Sequence, residues 1–473
     1  MIAGIPRQRL LWVALAGLTG AVVAAAVAVS PLIAFALPII LIGAVVVVTR
    51  PDLMLLVMVA ALPWENKLHY PSATLSAVKG IGAIVFLAYL IKVTRNRHER
   101  IYLPPLLGVV VALFLWIGLS MLVSVDPTYS VSKMLRYTLF FSFFFLVIQL
   151  VEGRAGVERV LRVFTLSVTL AAIYGTYRFV TGHGSRAAGP LEDPNDFAYL
   201  LACTLPLCAY LIAAAPGKRK VFWGVSFALI CGAILATFSR GALVGIAVLL
   251  TWGVVTRRIP VWAIVTGLTA AAVVVAFAFT LWKPLIDQSL QEKQHIAAAN
   301  TTSRKAYWTV AVKLTERRPL TGVGPDRFPV EAPPLIENNP IFIAKPVTHN
   351  SYLEIMSEDG VPALLLFFLY LVLSWRTFRR VERKAIDSGD LERRRLATAF
   401  QASMIVAIVS ATFLSEQLTA PLWLLPALGL VLARPEMAVR TVEERPPRRP
   451  EPARPPAVPP PRPDLAGGHL VPV

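Results

Sequence analysis

Cysteine is scarce in this chain. Only Cys203, Cys208 and Cys231 occur among 473 residues, and all three lie inside apolar blocks. Cys203 and Cys208 point in different directions on a helix, and no CxxC or Cys/His ligand spacing occurs. The three therefore read as core residues, with neither a disulfide nor a metal centre implied. Acidic residues are also few, 28 against 46 lysines and arginines, for a formal charge of +18. The surplus sits mainly in short loops and a terminal tail and forms no basic-aromatic surface, which argues against nucleic acid and for charge that sets membrane topology. The apolar runs lack period-two alternation, which excludes an outer-membrane barrel. Gly322-Val323-Gly324 follows no soluble strand and lacks a P-loop lysine, so no nucleotide site is expected there. There is no convincing internal repeat, a feature shared by many transporters.

What the chain has in abundance is apolar sequence, 56% of its residues, with a mean hydropathy of +0.64. A helix in lipid satisfies its own backbone, so apolar blocks of about 17–25 residues read as spanning helices. The blocks run over 10–29, 31–48, 52–64, 76–92, 103–124, 135–151, 159–180, 195–214, 221–238, 241–255, 261–282, 360–375, 396–414 and 420–434. The predicted class is all-α, a polytopic inner-membrane bundle of about fourteen (twelve to fourteen) helices. The first block has no small-residue cleavage site after it and reads as a retained helix.

When loops are assigned to alternate sides, the basic residues sort themselves. One side receives Arg7 and Arg9, Arg50, Lys92 to Arg100, Arg154 to Arg162, Lys218 to Lys220, Arg257 and Arg258, and the Arg376–Lys384 cluster. The other side's short loops hold Lys67, Lys133, Arg186 and Arg240. The positive-inside rule makes the first side cytoplasmic and places one long loop, about 283–359, outside. Residues 1–434 then form the membrane domain. Residues 435–473, dense in proline and arginine, form an extended cytoplasmic tail.

Four polar constellations fall on the cation-poor side. Arg186 precedes Asp193-Pro194-Asn195-Asp196, a turn into a helix that Asn195 or Asp196 can cap. Ser239-Arg240-Gly241 places a cation at a tight membrane re-entry, where Gly241 leaves room for close helix packing. Ser303 to Val312 reads as an amphipathic interfacial helix carrying Arg304, with Trp308 as its anchor. Thr348-His349-Asn350-Ser351-Tyr352-Leu353-Glu354 closes the long loop. Glu354 and Glu358 share one helix face, an arrangement that needs a compensating cation or a function. Histidine titrates near neutrality, which suits His349 to proton transfer.

Taken in order from Asp193 to Glu354, these motifs, with Pro319-Leu320-Thr321-Gly322-Val323-Gly324 between them, resemble the O-antigen ligase and Wzy polymerase superfamily. The resemblance implies a membrane glycosyltransferase of the GT-C type. Its donor would be an undecaprenyl-diphosphate-linked glycan and its acceptor a hydroxyl of a lipid or glycan, with transfer inverting and free of metal or other cofactor. It implies His349 as the base and Arg186 and Arg240 as ligands of the diphosphate. Arg304, Asn195, Asn350 and Glu354 complete the expected substrate contacts, on the periplasmic side of the inner membrane. The competing reading is a transporter or flippase of lipid-linked sugars, which predicts charges near the bilayer midplane.

Overall fold

The computed structural model describes residues 49–67, 76–95, 101–336 and 346–435; the expected spans at 10–29 and 31–48 and nearly all of the tail lie outside them. The described residues form thirteen α-helices, three short 3-10 turns and no strand. In chain order the helices are α1 Pro51–Ala61, α2 Ala77–Arg95, α3 Pro105–Leu122, α4 Val131–Leu150, α5 Gly153–Val180, α6 Pro194–Ala214 and α7 Gly217–Thr237. They continue as α8 Arg240–Val255, α9 Val261–Arg317, α10 Phe328–Glu331, α11 Ser351–Asp387, α12 Leu391–Ser410 and α13 Ala420–Ala433.

Seven of these helices, α2 to α7 and α11, are long and apolar enough to cross a membrane. Three apolar helices are shorter: α1 with its 3-10 extension to Trp64, α8 and α13. α6 packs on α7 and α12, and α11 packs on α3, α12 and α13. The core is aromatic around Trp423 of α13, with Phe141 at 4.8 Å and Tyr370 stacked at 4.9 Å between ring centroids. Its indole N–H donates to the Gln417 carbonyl at 2.8 Å, so the polar atom of a buried ring is satisfied.

The loop expected to begin near Lys283 departs from its description. α9 runs unbroken for 57 residues, about 85 Å at 1.5 Å per residue, far beyond a hydrocarbon core of about 30 Å. The segment carrying Arg304 and Trp308 is thus the continuation of the helix that starts at Val261, and no separate short helix forms. Beyond it, Tyr307, Val310, Ala311 and Leu314 pack with Val323, Phe328 and Ala332 into a small second core.

α11 is broken at Gly360, whose φ of 85° lies outside the helical region. The Pro319–Gly324 motif packs into that break. Val323 N–H donates to the Ser357 carbonyl (3.0 Å), Gly324 N–H to that of Glu358 (2.8 Å) and Val361 N–H to that of Pro319 (2.8 Å). Trp116 and Ser120 of α3 donate to carbonyls on both segments of this contact. A Cβ on Gly322 would lie 2.3 Å from the Glu358 backbone, and one on Gly360 would lie 2.0 Å from the Leu320 oxygen. These glycines let two backbones meet, which is a packing role. The close helix approach expected at Gly241 lies one turn on: a Cβ at Gly241 would meet Phe413 at an ordinary 3.6 Å, whereas at Gly245 it would meet the Ser410 hydroxyl at 2.7 Å.

The bundle has two chemically different ends. At one, Arg154 pairs with Asp390 (3.3 Å) and Arg258 with Glu382 (2.6 Å), beside the Arg376–Lys384 stretch of α11. At the other, Lys67, Lys133, Arg186 and Arg240 gather with the starts of α6 and α11. This is the sorting that the loop alternation predicts.

Candidate active site

Pro194 occupies the first helical position of α6 and has no N–H to cap, so the cap falls to the residue before it. Asp193 accepts from the Asn195 and Asp196 backbone N–H groups at 2.6 and 3.3 Å. Asn195 and Asp196 are therefore not the caps that the sequence suggested. Asn195 instead turns its side chain to a cavity of about 140 Å³, lined also by Ser239, Arg240, Gly241, Val244, Arg304, Phe413 and Leu414.

Two arginines from distant parts of the sequence thus share one wall-to-wall space. Phe238 takes a left-handed conformation (φ 51°) that ends α7, and α8 starts at once with Arg240. Arg304 reaches the same cavity from α9. Among the described residues, neither guanidinium makes a hydrogen bond or ion pair, Arg240 exposed and Arg304 half-buried. The Ser239 hydroxyl is buried on the cavity wall and has no hydrogen-bond partner among them. Unpaired donors around one cavity are a site for a multiply charged anion with oxygen acceptors.

Arg186 lies beside this cavity, not in it. Its Nε donates to the Thr237 carbonyl (2.7 Å) and its Nη2 to Asn195 Oδ1 (3.0 Å), while Ala187 N–H donates to the Ala236 carbonyl (2.9 Å). It ties the α5–α6 loop to the end of α7 and fixes the Asn195 amide. The pair that the structure brings together is Arg240 and Arg304, where the sequence had paired Arg240 with Arg186.

His349 is half-buried and left-handed (φ 46°), one residue before Asn350, the cap of α11. Such a conformation is uncommon outside glycine and persists where the surroundings fix it. Here Trp308 donates its indole N–H to the Thr348 carbonyl at 2.9 Å, and Thr348 Oγ1 donates to Glu354 at 3.0 Å. Trp308 therefore holds the backbone beside His349. One turn earlier on the same face of α9 stands Arg304. Burial, then the Arg304 charge, lowers the His349 pKa, with Asp193 and Glu354 opposing. The imidazole is thereby kept neutral near pH 7, the form that accepts a proton.

Two expected substrate contacts are engaged elsewhere. Asn350 caps α11, its Oδ1 accepting from Tyr352 and Leu353 N–H at 3.0 and 3.1 Å. Glu354 receives Lys133 (2.6 Å), Gln417 (2.6 Å), Thr348 and Ser415. Lys133 also meets Glu358 at 2.5 Å, and Glu358 accepts from Asp326 and Phe328 N–H. The compensating cation that the Glu354/Glu358 spacing demanded is Lys133, more than 200 positions away. No local signal marked that partner. Sequence reasoning also passed over Ser239 as a binding group and over the α12–α13 loop. That loop supplies Phe413 and Leu414 to the cavity, and Glu416 behind them. Burial, reinforced by Asp196, pushes Glu416 well above the ordinary carboxylate range.

Residues 225–368 match the family profile described as O-Antigen ligase. The matched stretch contains Arg240, Arg304, His349, Asn350 and Glu354, and stops short of Arg186 and Asn195. A search of curated proteins found no match.

Proposed function

From the O-antigen ligase family domain that this multi-pass bacterial membrane protein carries, we propose a glycosyltransferase that moves a glycan from a polyprenyl-diphosphate carrier, of the undecaprenyl type, to a hydroxyl acceptor. The observation that carries this reading is the cavity in which Arg240 and Arg304 stand unpaired, with His349 near enough for the Arg304 charge to depress it. A transporter of lipid-linked sugars would place its charges near mid-bilayer. Here Arg240 is the first residue of α8, His349 precedes α11, and Arg304 lies far along the 57-residue α9.

In the proposed reaction Arg240 and Arg304 grip the diphosphate, Ser239 and Asn195 add neutral hydrogen bonds, and Arg186 keeps Asn195 in place. The acceptor hydroxyl oxygen attacks the anomeric carbon from the face opposite the diphosphate. Its proton passes to the His349 imidazole, the anomeric C–O bond breaks, and the electron pair leaves with the diphosphate, so the configuration inverts. Charge grows on the leaving group as that bond breaks, and forked guanidinium donors meet it in place. Each contact near 4 Å is worth about 4 kcal/mol at an effective dielectric of about 20, before desolvation is subtracted. Two arginines thus supply the counter-charge that a divalent cation supplies elsewhere, and the reaction is proposed to need no metal. The site end faces the periplasm in this reading, and the Arg154–Glu382 end faces the cytoplasm.

The test is reconstitution of the purified protein with a lipid-diphosphate glycan and a hydroxyl acceptor, with and without EDTA. Transfer that survives EDTA and disappears in Arg240→Ala is expected. Transfer that persists in folded Arg240→Ala, or a strict metal requirement, overturns the proposal.

A further inference from the structure

Among the described residues, a space of about 540 Å³ at the C-terminal end of α11 is lined by Trp375, Arg376, Arg379, Arg380, Arg383 and Lys384. It lies at the other end of the bundle from the Arg240–Arg304 cavity: Arg240 opens α8, and Arg258, just past the end of α8, pairs with Glu382 here. The base of this space is fixed. Buried Glu382 receives Arg258 (2.6 Å), Arg379 (3.3 Å) and Gln401 (3.0 Å). Trp375 packs edge-on against Trp252, 6.4 Å between ring centroids. Arg379 is thus answered by Glu382. Arg376, Arg380, Arg383 and Lys384 are exposed, and none of them makes a hydrogen bond or ion pair among the described residues. Arg376 and Arg380, and Arg380 and Lys384, stand four apart on one helix, where like charges repel. Asp387, a turn beyond Arg383, makes no ion pair with them. Sidedness alone asks only for cations near the helix end, on any face.

The face that carries these cations changes chemistry along its length. At about 100° per residue, Leu365, Leu369, Val372, Arg376, Arg380 and Arg383 fall within an arc of about 80°. The first three are exposed apolar side chains on a helix long and apolar enough to cross a membrane. The cations follow directly, with Trp375 at the junction, the level at which aromatic rings meet headgroups. An apolar stripe, an indole and then unanswered cations fit acyl chains that end in a phosphate. The chain's own tail is a poor occupant, because residues 435–473 hold six arginines and five carboxylates and so carry no surplus negative charge. We infer that this face of α11 binds an anionic phospholipid of the bilayer. Arg376, Arg380, Arg383 and Lys384 hold its phosphate, and its acyl chains lie along Leu365, Leu369 and Val372. A zwitterionic lipid brings its own ammonium beside the phosphate and gains less from the cluster. The inference stands apart from the proposed transfer reaction.

Purified full-length protein in detergent, stripped of lipid, is titrated with phosphatidylglycerol and with phosphatidylcholine of the same chains, and bound lipid is counted by native mass spectrometry. Phosphatidylglycerol is expected to bind about tenfold more tightly or better. Arg380→Gln/Arg383→Gln should weaken phosphatidylglycerol binding about 25-fold, about fivefold for each cation removed, and leave phosphatidylcholine binding unchanged. Arg380→Lys/Arg383→Lys keeps both charges and should keep most of the preference, which guards against a folding or insertion artefact. Arg317→Gln removes an exposed cation at the end of α9 and should change nothing. Equal binding of the two lipids, or a preference that survives Arg380→Gln/Arg383→Gln in folded protein, overturns the site. Displacement of phosphatidylglycerol by glycerol phosphate or by a glutamate-rich peptide at equal concentration assigns the cations to a soluble partner and overturns the lipid.

Discussion

Two charged clusters occupy the same end of this bundle and treat their charge in opposite ways. Around Lys133, the cation is fully answered: Glu354 and Glu358 share its ammonium, and hydroxyl, amide and backbone donors reach their remaining oxygens. The buried Asp359 beside them keeps one oxygen without a hydrogen-bond partner among the described residues. Around Arg240 and Arg304, two cations and a buried serine hydroxyl face one cavity with no partner among the described residues. A buried cluster whose cation is paired fixes structure, since removing that cation leaves uncompensated charge. An open one waits for a ligand of opposite charge. His349 stands between them, its backbone held through Thr348 by Trp308 and its pKa lowered by Arg304.

The comparison breaks first at His349. His349→Ala is expected to reduce transfer by about 10²–10⁴-fold, the scale of a lost general base, with donor binding nearly unchanged. Parallel transfer and donor-binding assays on purified protein decide it, and a matched fall in both would return His349 to a structural role. Lys133→Met should act on the other cluster. It leaves two buried carboxylates without their cation and is expected to cost about 3–5 kcal/mol of stability, read by thermal unfolding in detergent. Adding Glu358→Gln should recover part of that loss.

Arg240→Lys keeps charge and loses the fork, so donor affinity should drop by about 10–100-fold, the scale of one or two charge-assisted hydrogen bonds. Arg304→Gln sharpens the link to the base. The Arg304 charge lowers the His349 pKa, so removing it moves that pKa upward. The variant then protonates its base at a higher pH than wild type, and the acid limb of the transfer profile shifts toward neutrality. An unmoved limb with reduced donor binding would confine Arg304 to the anion. The smallest effect is expected at Ser239→Ala, about threefold weaker donor binding with stability unchanged, because one neutral hydrogen bond is lost from an otherwise unpartnered hydroxyl.

Much of this was legible from the sequence. Apolar block length marked the helices, and the alternation of basic loops separated the two ends. The candidate residues Arg240 and Asn195 could be picked out at helix starts on the cation-poor side and Arg304 on an amphipathic stretch of the long loop, and the three line one cavity. What could not be read was partnership across the fold. Lys133 is separated by 221 positions from Glu354, and nothing near either residue announces the pair. Asn350 looked like a ligand and caps a helix, because an amide beside a helix start serves either purpose. An aromatic on an amphipathic stretch, as Trp308 is, gives no hint that its N–H will meet a carbonyl 40 positions on. Periodicity around 303–312 identified helix and could not show that it continues the long helix from Val261.

The central claim is that the unpaired arginines form the donor site and the Lys133 cluster is architecture. Binding of a soluble short-chain isoprenyl diphosphate to purified Arg240→Gln and to folded Lys133→Met/Glu358→Gln, measured by calorimetry against wild type, tests it most directly. Binding lost in the first and retained in the second is the predicted result. Binding retained in Arg240→Gln, or lost in the folded double variant alone, contradicts the account.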